Sequence, residues 1–300
     1  MNHQQKSRRA MLFMLSILTV LFAAAWSIPQ LAAAPPGNNN QDDNSPIQVG
    51  YVIVTPTPTD TSPSMDIAVF ETFGERRGGQ TQQAGVLPAV MTTHAVLFIN
   101  ANGRLSRNVG VAIANPSGQQ APIGLRLYRG DGKLLAGYAT SNSPFVLDPG
   151  EQMAKYVTEL FDSQPEVERD FTGTLDITSD VPVAVIGIRT RGENFSTLPA
   201  TLLSDGFPVP PISTDTGEVG GSGAIILAHF AVGGGWTTEI VITNYSEQDE
   251  AQVRVDIFDK FGQSMDVTLD GETGHTFTRI IQPHGVTTLA KKDQDGDSGL

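Results

Sequence analysis

The chain has 300 residues, 19 of them basic and 32 acidic, a net charge of −13, and no cysteine. The missing thiols exclude disulfides, thiolate metal sites, cysteine nucleophiles and a lipid-modified cysteine anchor, and the negative field disfavours nucleic-acid and anionic-lipid partners. With 17% charged residues, 31 Gly and 19 Pro, the composition suits many short strands joined by turns rather than long helices.

In chain order, the first ten residues carry Lys6, Arg8 and Arg9, an almost unbroken apolar run follows over 11–26, and Leu31-Ala-Ala-Ala34 precedes Pro35. This order of basic, apolar and small residues predicts a secretory signal peptide, 1–33, cut before Ala34 because Pro35 disfavours a cut one residue later. The apolar run is shorter than the roughly 20 residues of a bilayer span; an uncleaved anchor is the alternative. Loss of the leader takes the net charge from −13 to −16. Export without disulfides is more a bacterial habit than that of small animal secreted modules. Residues 34–47 are Pro, Gly, Asn, Asp and Gln, a disordered spacer with nothing to bury.

Beyond the spacer, short apolar runs alternate with turn signals. Val52-Ile-Val54 and Ile67-Ala-Val-Phe70 lie in 48–92, which reads as a β-hairpin, the C-terminal half of a module. A complete module is expected over 94–203. There Ala95–Asn100 leads to an Asn102-Gly103 turn, Val109, Val111 and Ile113 alternate, and Ile123, Leu125 and Leu127 alternate into the Arg129-Gly-Asp-Gly132 turn. Met153, Tyr156, Val157, Leu160 and Phe161 fall at helical spacing and predict one short amphipathic helix. Strands return over 171–178 and 181–189, with a bend at Asp180-Val-Pro182. A Pro/Gly linker is predicted over 204–223, then the N-terminal half of a second module over 224–292 and an acidic tail over 293–300.

The division rests on an internal repeat. Val109-Gly-Val-Ala-Ile-Ala-Asn115 matches Thr238-Glu-Ile-Val-Ile-Thr-Asn244, Ile123–Tyr128 matches Val253–Phe258, and Leu147-Asp-Pro-Gly150 matches Ile281-Gln-Pro-His284, at offsets of 129, 130 and 134 residues. Met65-Asp-Ile-Ala-Val-Phe70 with Leu87-Pro-Ala89 resembles Val181-Pro-Val-Ala-Val-Ile186 with Leu198-Pro-Ala200. Judged by the first copy, the last stops before its final two strands, and Gly50–Phe73 is the candidate to complete it, within one chain or between chains by strand addition.

About seven strands in about 110 residues predict an all-β protein of immunoglobulin-like antiparallel β-sandwich modules in tandem, with one short helix per complete module. Asn102–Pro116, Tyr156–Phe161, Phe195–Pro199 and Phe230–Thr238 resemble the modules of uncharacterised secreted bacterial immunoglobulin-like repeat proteins. The resemblance covers most of 48–292 and implies fold and location only.

Candidate chemistry is sparse. Arg129-Gly130-Asp131 is the tripeptide that integrin ligands display on hairpin tips, but Gly130-Asp131-Gly132 is also what a tight turn requires, and Lys260-Phe261-Gly262 takes its place in the second copy. Asp293, Asp295 and Asp297 start like a calcium loop but lack the glycine at its sixth position. His229, His275 and His284, near Asp256, Asp259 and Asp270, have no metal-ligand spacing. The acids of the complete module, Asp131, Asp148, Glu151, Glu159, Asp162 and Asp176, are expected mainly in turns or the helix, where solvated charge is the default. A glycan or peptide mouth would use Trp236, Tyr245 and the Gly233-Gly234-Gly235 loop. The expectation is therefore an exported structural or interaction element, a stalk, spacer or adhesive, with no catalytic residues, metal or cofactor. Its partners are an extracellular protein or glycan and not nucleic acid, with the membrane involved only through an uncleaved leader and self-association by strand addition open. The alternative is a glycan- or peptide-binding domain.

Overall fold

The computed structural model describes residues 51–54, 69–77, 80–202, 209–221, 224–234 and 236–292. The leader, the spacer at 34–47 and the acidic tail at 293–300 lie outside them. Within them the protein is built of antiparallel β-sheet with two short α-helices.

A hairpin of β1 (Glu71–Arg77) and β2 (Gln80–Val86) comes first. A larger sheet follows, from β3 (Thr92–Ala101), β4 (Arg107–Ala114), β5 (Ala121–Arg129), β6 (Leu134–Tyr138), β7 (Val146–Leu147) and β8 (Gln152–Tyr156). Helices α1 (Val157–Leu160) and α2 (Pro165–Arg169) lead into β9 (Phe171–Arg191), β10 (Asn194–Leu198) and β11 (Thr201–Leu202). β9 is the hub. Its first half pairs with β3 on one side and β5 on the other, its second half with β4 and β10. The exchange of partners falls between Ser179 and Ala184, where the β3 register also shifts. The sequence predicts two strands, over 171–178 and 181–189, with a bend at Asp180-Val-Pro182. The chain runs through instead, because a residue without an N–H costs no ladder bond where pairing is changing anyway.

Alternation sets the interior. Leu97 and Ile99 of β3, Ile123, Leu125 and Leu127 of β5, and Leu175 and Ile177 of β9 meet Val109, Val111 and Ile113 of β4 and Val183 and Val185 of β9 in one core. Each fully buried Leu or Ile there contributes roughly 1.5–3 kcal/mol of transfer free energy. Val157, Leu160, Phe161 and Val167 of the helical segment pack into the same core.

The helix expected from Met153 to Phe161 is corrected by the structure. Gln152–Tyr156 is strand β8, paired with β4 from Ala114↔Gln152 to Gly110↔Tyr156, and only Val157–Leu160 is helical. A helix from Met153 would have left that edge of β4 without main-chain partners. The Glu159 carboxylate accepts the Tyr156 N–H at 2.7 Å and starts the helical turn there. A second turn, α2, follows, so this body has two short helices rather than one.

Within the segment expected as a linker, β12 (Val209–Thr214) and β13 (Gly217–Gly221) form a hairpin. Its tip rests on the last body: Arg254 Nη2 donates to the Thr216 carbonyl at 2.7 Å, and Ser264 Oγ to Asp215 Oδ1 at 2.6 Å. That body contains β14 (Glu239–Thr243), β15 (Ala251–Asp256), β16 (Val267–Leu269), β17 (Glu272–Gly274), β18 (Thr276–Ile281) and β19 (Val286–Ala290). They pair β14–β19, β15–β18 and β16–β17 over a core of Ile240, Ile257, Val267, Leu269, Phe277 and Leu289.

Two buried asparagines occupy corresponding places. Asn115 Nδ2 donates to the carbonyls of Gln119 at 2.7 Å and Leu147 at 3.1 Å, while its Oδ1 accepts the Ser117 N–H at 3.1 Å. Asn244 Nδ2 donates to the carbonyls of Asp249 at 2.7 Å and Ile281 at 3.0 Å, and its Oδ1 accepts the Ser246 N–H at 3.0 Å. Each side chain ties a turn to a strand that is distant in sequence.

Candidate functional site

The polar side chains that converge most closely lie where the two bodies meet. The β5–β6 turn closes by bonds from the Arg129 N–H to the Lys133 carbonyl at 2.9 Å and from the Gly132 N–H to the Arg129 carbonyl at 2.8 Å. Its tip docks on the other body, where the Val286 N–H donates to the Gly130 carbonyl at 3.0 Å. Gly132 has φ +83°, and a Cβ on it would stand 1.9 Å from the Pro283 carbonyl oxygen, so no larger residue fits this contact.

Beside this latch, the rings of Tyr128 and His284 stack with centroids 4.1 Å apart and planes 8° from parallel. His284 is held at φ 57°, a left-handed conformation unusual for a residue with a Cβ, and its Nε2 lies 3.4 Å from Glu247 Oε2. His94 Nε2 lies 2.6 Å from Asp176 Oδ1, and Arg189 Nη1 donates to Glu239 Oε2 across the junction at 3.2 Å. The Arg189 and Glu239 side chains are only 15% and 8% exposed. Burial pushes the Tyr128 hydroxyl above its usual pKa, partly opposed by the neighbouring Arg126.

His94, Val96, Tyr128, Asp176, Tyr245 and His284 line a cleft here. It encloses about 20 Å³, room for about one water molecule. A histidine held by a carboxylate can orient a proton, but the cleft is too small to hold an organic substrate against it. Among the described residues no group of three His, Asp or Glu side chains could hold a metal, and no helix is long and apolar enough to cross a membrane.

The Arg129-Gly130-Asp131 turn is thus a contact within the chain. Arg129 Nε donates to Glu166 Oε1 at 2.8 Å and Lys133 Nζ to Asp131 Oδ2 at 2.6 Å, while the Gly130 carbonyl is bound by Val286. The hydrogen bond from Lys133 holds the Asp131 carboxyl below its usual range. Trp236 and Tyr245 are separated: Tyr245 lines the cleft and Trp236 does not. Trp236 is 71% exposed beyond a tight turn in which it exchanges main-chain bonds with Gly233 at 2.9 and 3.0 Å. Gly233 and Gly234 both have positive φ, and Gly235 lies outside the described residues. His229 is exposed, and His275 pairs with Asp266 at 2.6 Å.

Asp176 lies on β9, within the stretch expected as a strand, and at 8% exposure it is buried rather than the solvated charge expected by default of the module's acids. Together with His94, Tyr128 and His284 it forms a group that sequence spacing does not reveal, since pairing across sheets and between bodies assembles it. The alternation of Leu175 and Ile177 around Asp176 was the one legible sign of a strand acid. Comparison with family models, with curated proteins and with solved structures returns no match.

Proposed function

We propose that this chain is an exported, non-catalytic structural element, a spacer or stalk outside the cell, built from tandem modules of the immunoglobulin-like sandwich kind. The matching hydrogen-bond sets of Asn115 and Asn244 support the reading of two copies of one module. The observation that carries the spacer reading is the joint. A main-chain hydrogen bond, a ring stack and a half-buried ion pair hold the second body against the first, as a load-transmitting element needs and a flexible tether does not. The polar groups of the cleft are engaged with one another, which favours a structural role for them over catalysis.

The absence of native cysteine makes the joint directly measurable. Spin labels on Gln120→Cys and Gln252→Cys, both exposed positions, should give one narrow distance distribution, broadened by Gly132→Val. A broad distribution in the native protein would sink the spacer reading. Export is tested by mass spectrometry of secreted material, where the first residue should be Ala34; recovery from the cytosol alone would contradict it.

The exposure of Trp236 favours a second reading, glycan or peptide binding at the Gly233–Trp236 turn. Binding on a glycan array that is lost in Trp236→Ala would select it.

A further inference from the structure

The hub strand β9 serves three partners in the first body, β3, β4 and β5, besides β10. In the second body β14 and β15 stand where β4 and β5 do. Among the described residues β14 pairs only with β19 and β15 only with β18, so the edges that would face a hub strand are open. Burial follows the same line. Ile123 and Leu125 are fully buried, whereas Val253 and Val255 at the matching places of β15 are half-buried. Between 224 and 238 the described residues form no strand, and Ile225, Ile226 and Leu227 are 86%, 73% and 62% exposed. Open edges and exposed aliphatic side chains together make an acceptor for another strand.

The converse vacancy lies in the first hairpin. Met65–Phe70 with Leu87-Pro-Ala89 repeats the sequence that forms β9 and leads out of β10. The hairpin registers agree as well: Arg77 pairs with Gln80 as Arg191 pairs with Asn194. β9 uses its other edge for β4, while the corresponding edge of β1 is unpaired among the described residues. Within one copy this hairpin is committed to the first body, since Thr197 Oγ1 donates to the Gly85 carbonyl at 2.9 Å and Gln82 Nε2 to Asn194 Oδ1 at 3.0 Å.

We infer that β1 of one copy adds to the open edge of β14 in a second copy, joining chains head to tail. The inference rests on the equivalence of the two bodies proposed above. Transferred to these strands, the β4–β9 register sets Phe73 opposite Ile240 and Arg77 opposite Trp236, the isolated bridge at Trp236 matching that at Arg107. A heterologous contact of this kind adds copies one after another, into an open chain or, where the rotation closes, a ring.

Proline separates donor from acceptor. The Asn244 N–H bonds the Gly285 carbonyl, so even-numbered residues of β14 face β19 and the Val241 N–H faces the open edge. A two-residue hairpin closes on a hydrogen-bonded pair, here Arg77 and Gln80, so the Thr72 N–H faces the open edge of β1. In sedimentation velocity the purified full chain should form oligomers that grow with concentration, whereas Val241→Pro alone and Thr72→Pro alone should each stay monomeric. Mixed in equal amounts the two variants should stop at a dimer, because each keeps one intact end. A native chain that stays monomeric overturns the inference, as does a variant mixture that stays monomeric while the native chain assembles. If Val241→Pro lost the melting transition of the second body, the orientation of β14 and hence the equivalence of the bodies would fall too. A native melt without assembly refutes the inference alone.

Discussion

Replacing Asn115 by alanine tests the claim that a single buried amide ties the turn after β4 to the strand at Leu147. Asn115 is 0% exposed and its amide reaches the Gln119 carbonyl at 2.7 Å and the Leu147 carbonyl at 3.1 Å. Its Oδ1 accepts from Ser117, N–H at 3.1 Å and Oγ at 2.6 Å. The Leu147 carbonyl also accepts the Ala121 N–H in the β5–β7 pair and keeps that donor, so no carbonyl is orphaned, and each of the four bonds lost is worth about 0.5 kcal/mol net. The sum is about 2 kcal/mol, and at about 4 °C per kcal/mol for a body of this size the melting temperature should fall by about 8 °C. Asn244, 8% exposed and holding fewer contacts, should lose less on the same change. Chemical denaturation followed by near-ultraviolet circular dichroism reads both. A loss below about 0.5 kcal/mol for Asn115→Ala would refute the reasoning, because it would mean that water or neighbouring groups replace every bond the amide makes.

Gly173 packs against β5 so closely that a Cβ on it would lie 1.9 Å from the Tyr128 carbonyl oxygen; Gly173→Ala should cost at least about 2 kcal/mol in urea unfolding, and a neutral result would mean the hub strand is not held at that distance. Burial pushes the Tyr156 hydroxyl well above its ordinary pKa. The unfolded chain then ionises first, so this contribution is whole below about pH 10 and is lost as the pH rises beyond it, by up to about 1.4 kcal/mol per unit. Urea midpoints measured at pH 9 and pH 11 should therefore fall less in Tyr156→Phe than in the native protein, and equal falls would contradict the burial.

Much of the fold could be read from residue order because alternation is a local signal. Ile123, Leu125 and Leu127 point inward as their spacing requires, and the Arg129–Gly132 turn closes where its glycines allow. Three features could not be read that way. Met153–Tyr156 has a spacing compatible with a helix, yet β4 needed a partner, and a main-chain edge supplied from 40 residues away overrode the periodicity. Asp180-Val-Pro182 looked like a bend between two strands, but β9 passes through it because its partners change at that point. His94, Asp176, Tyr128 and His284 have no common spacing at all; β3 meets β9, β9 meets β5, and the second body closes over them. Sequence by itself determined which residues seek the interior and where the chain can turn, since both depend on neighbours along the backbone. Which edges pair, and therefore which polar groups meet at the joint, was decided only by tertiary structure, because each main-chain hydrogen bond goes to whichever strand the packed core brings within about 3 Å.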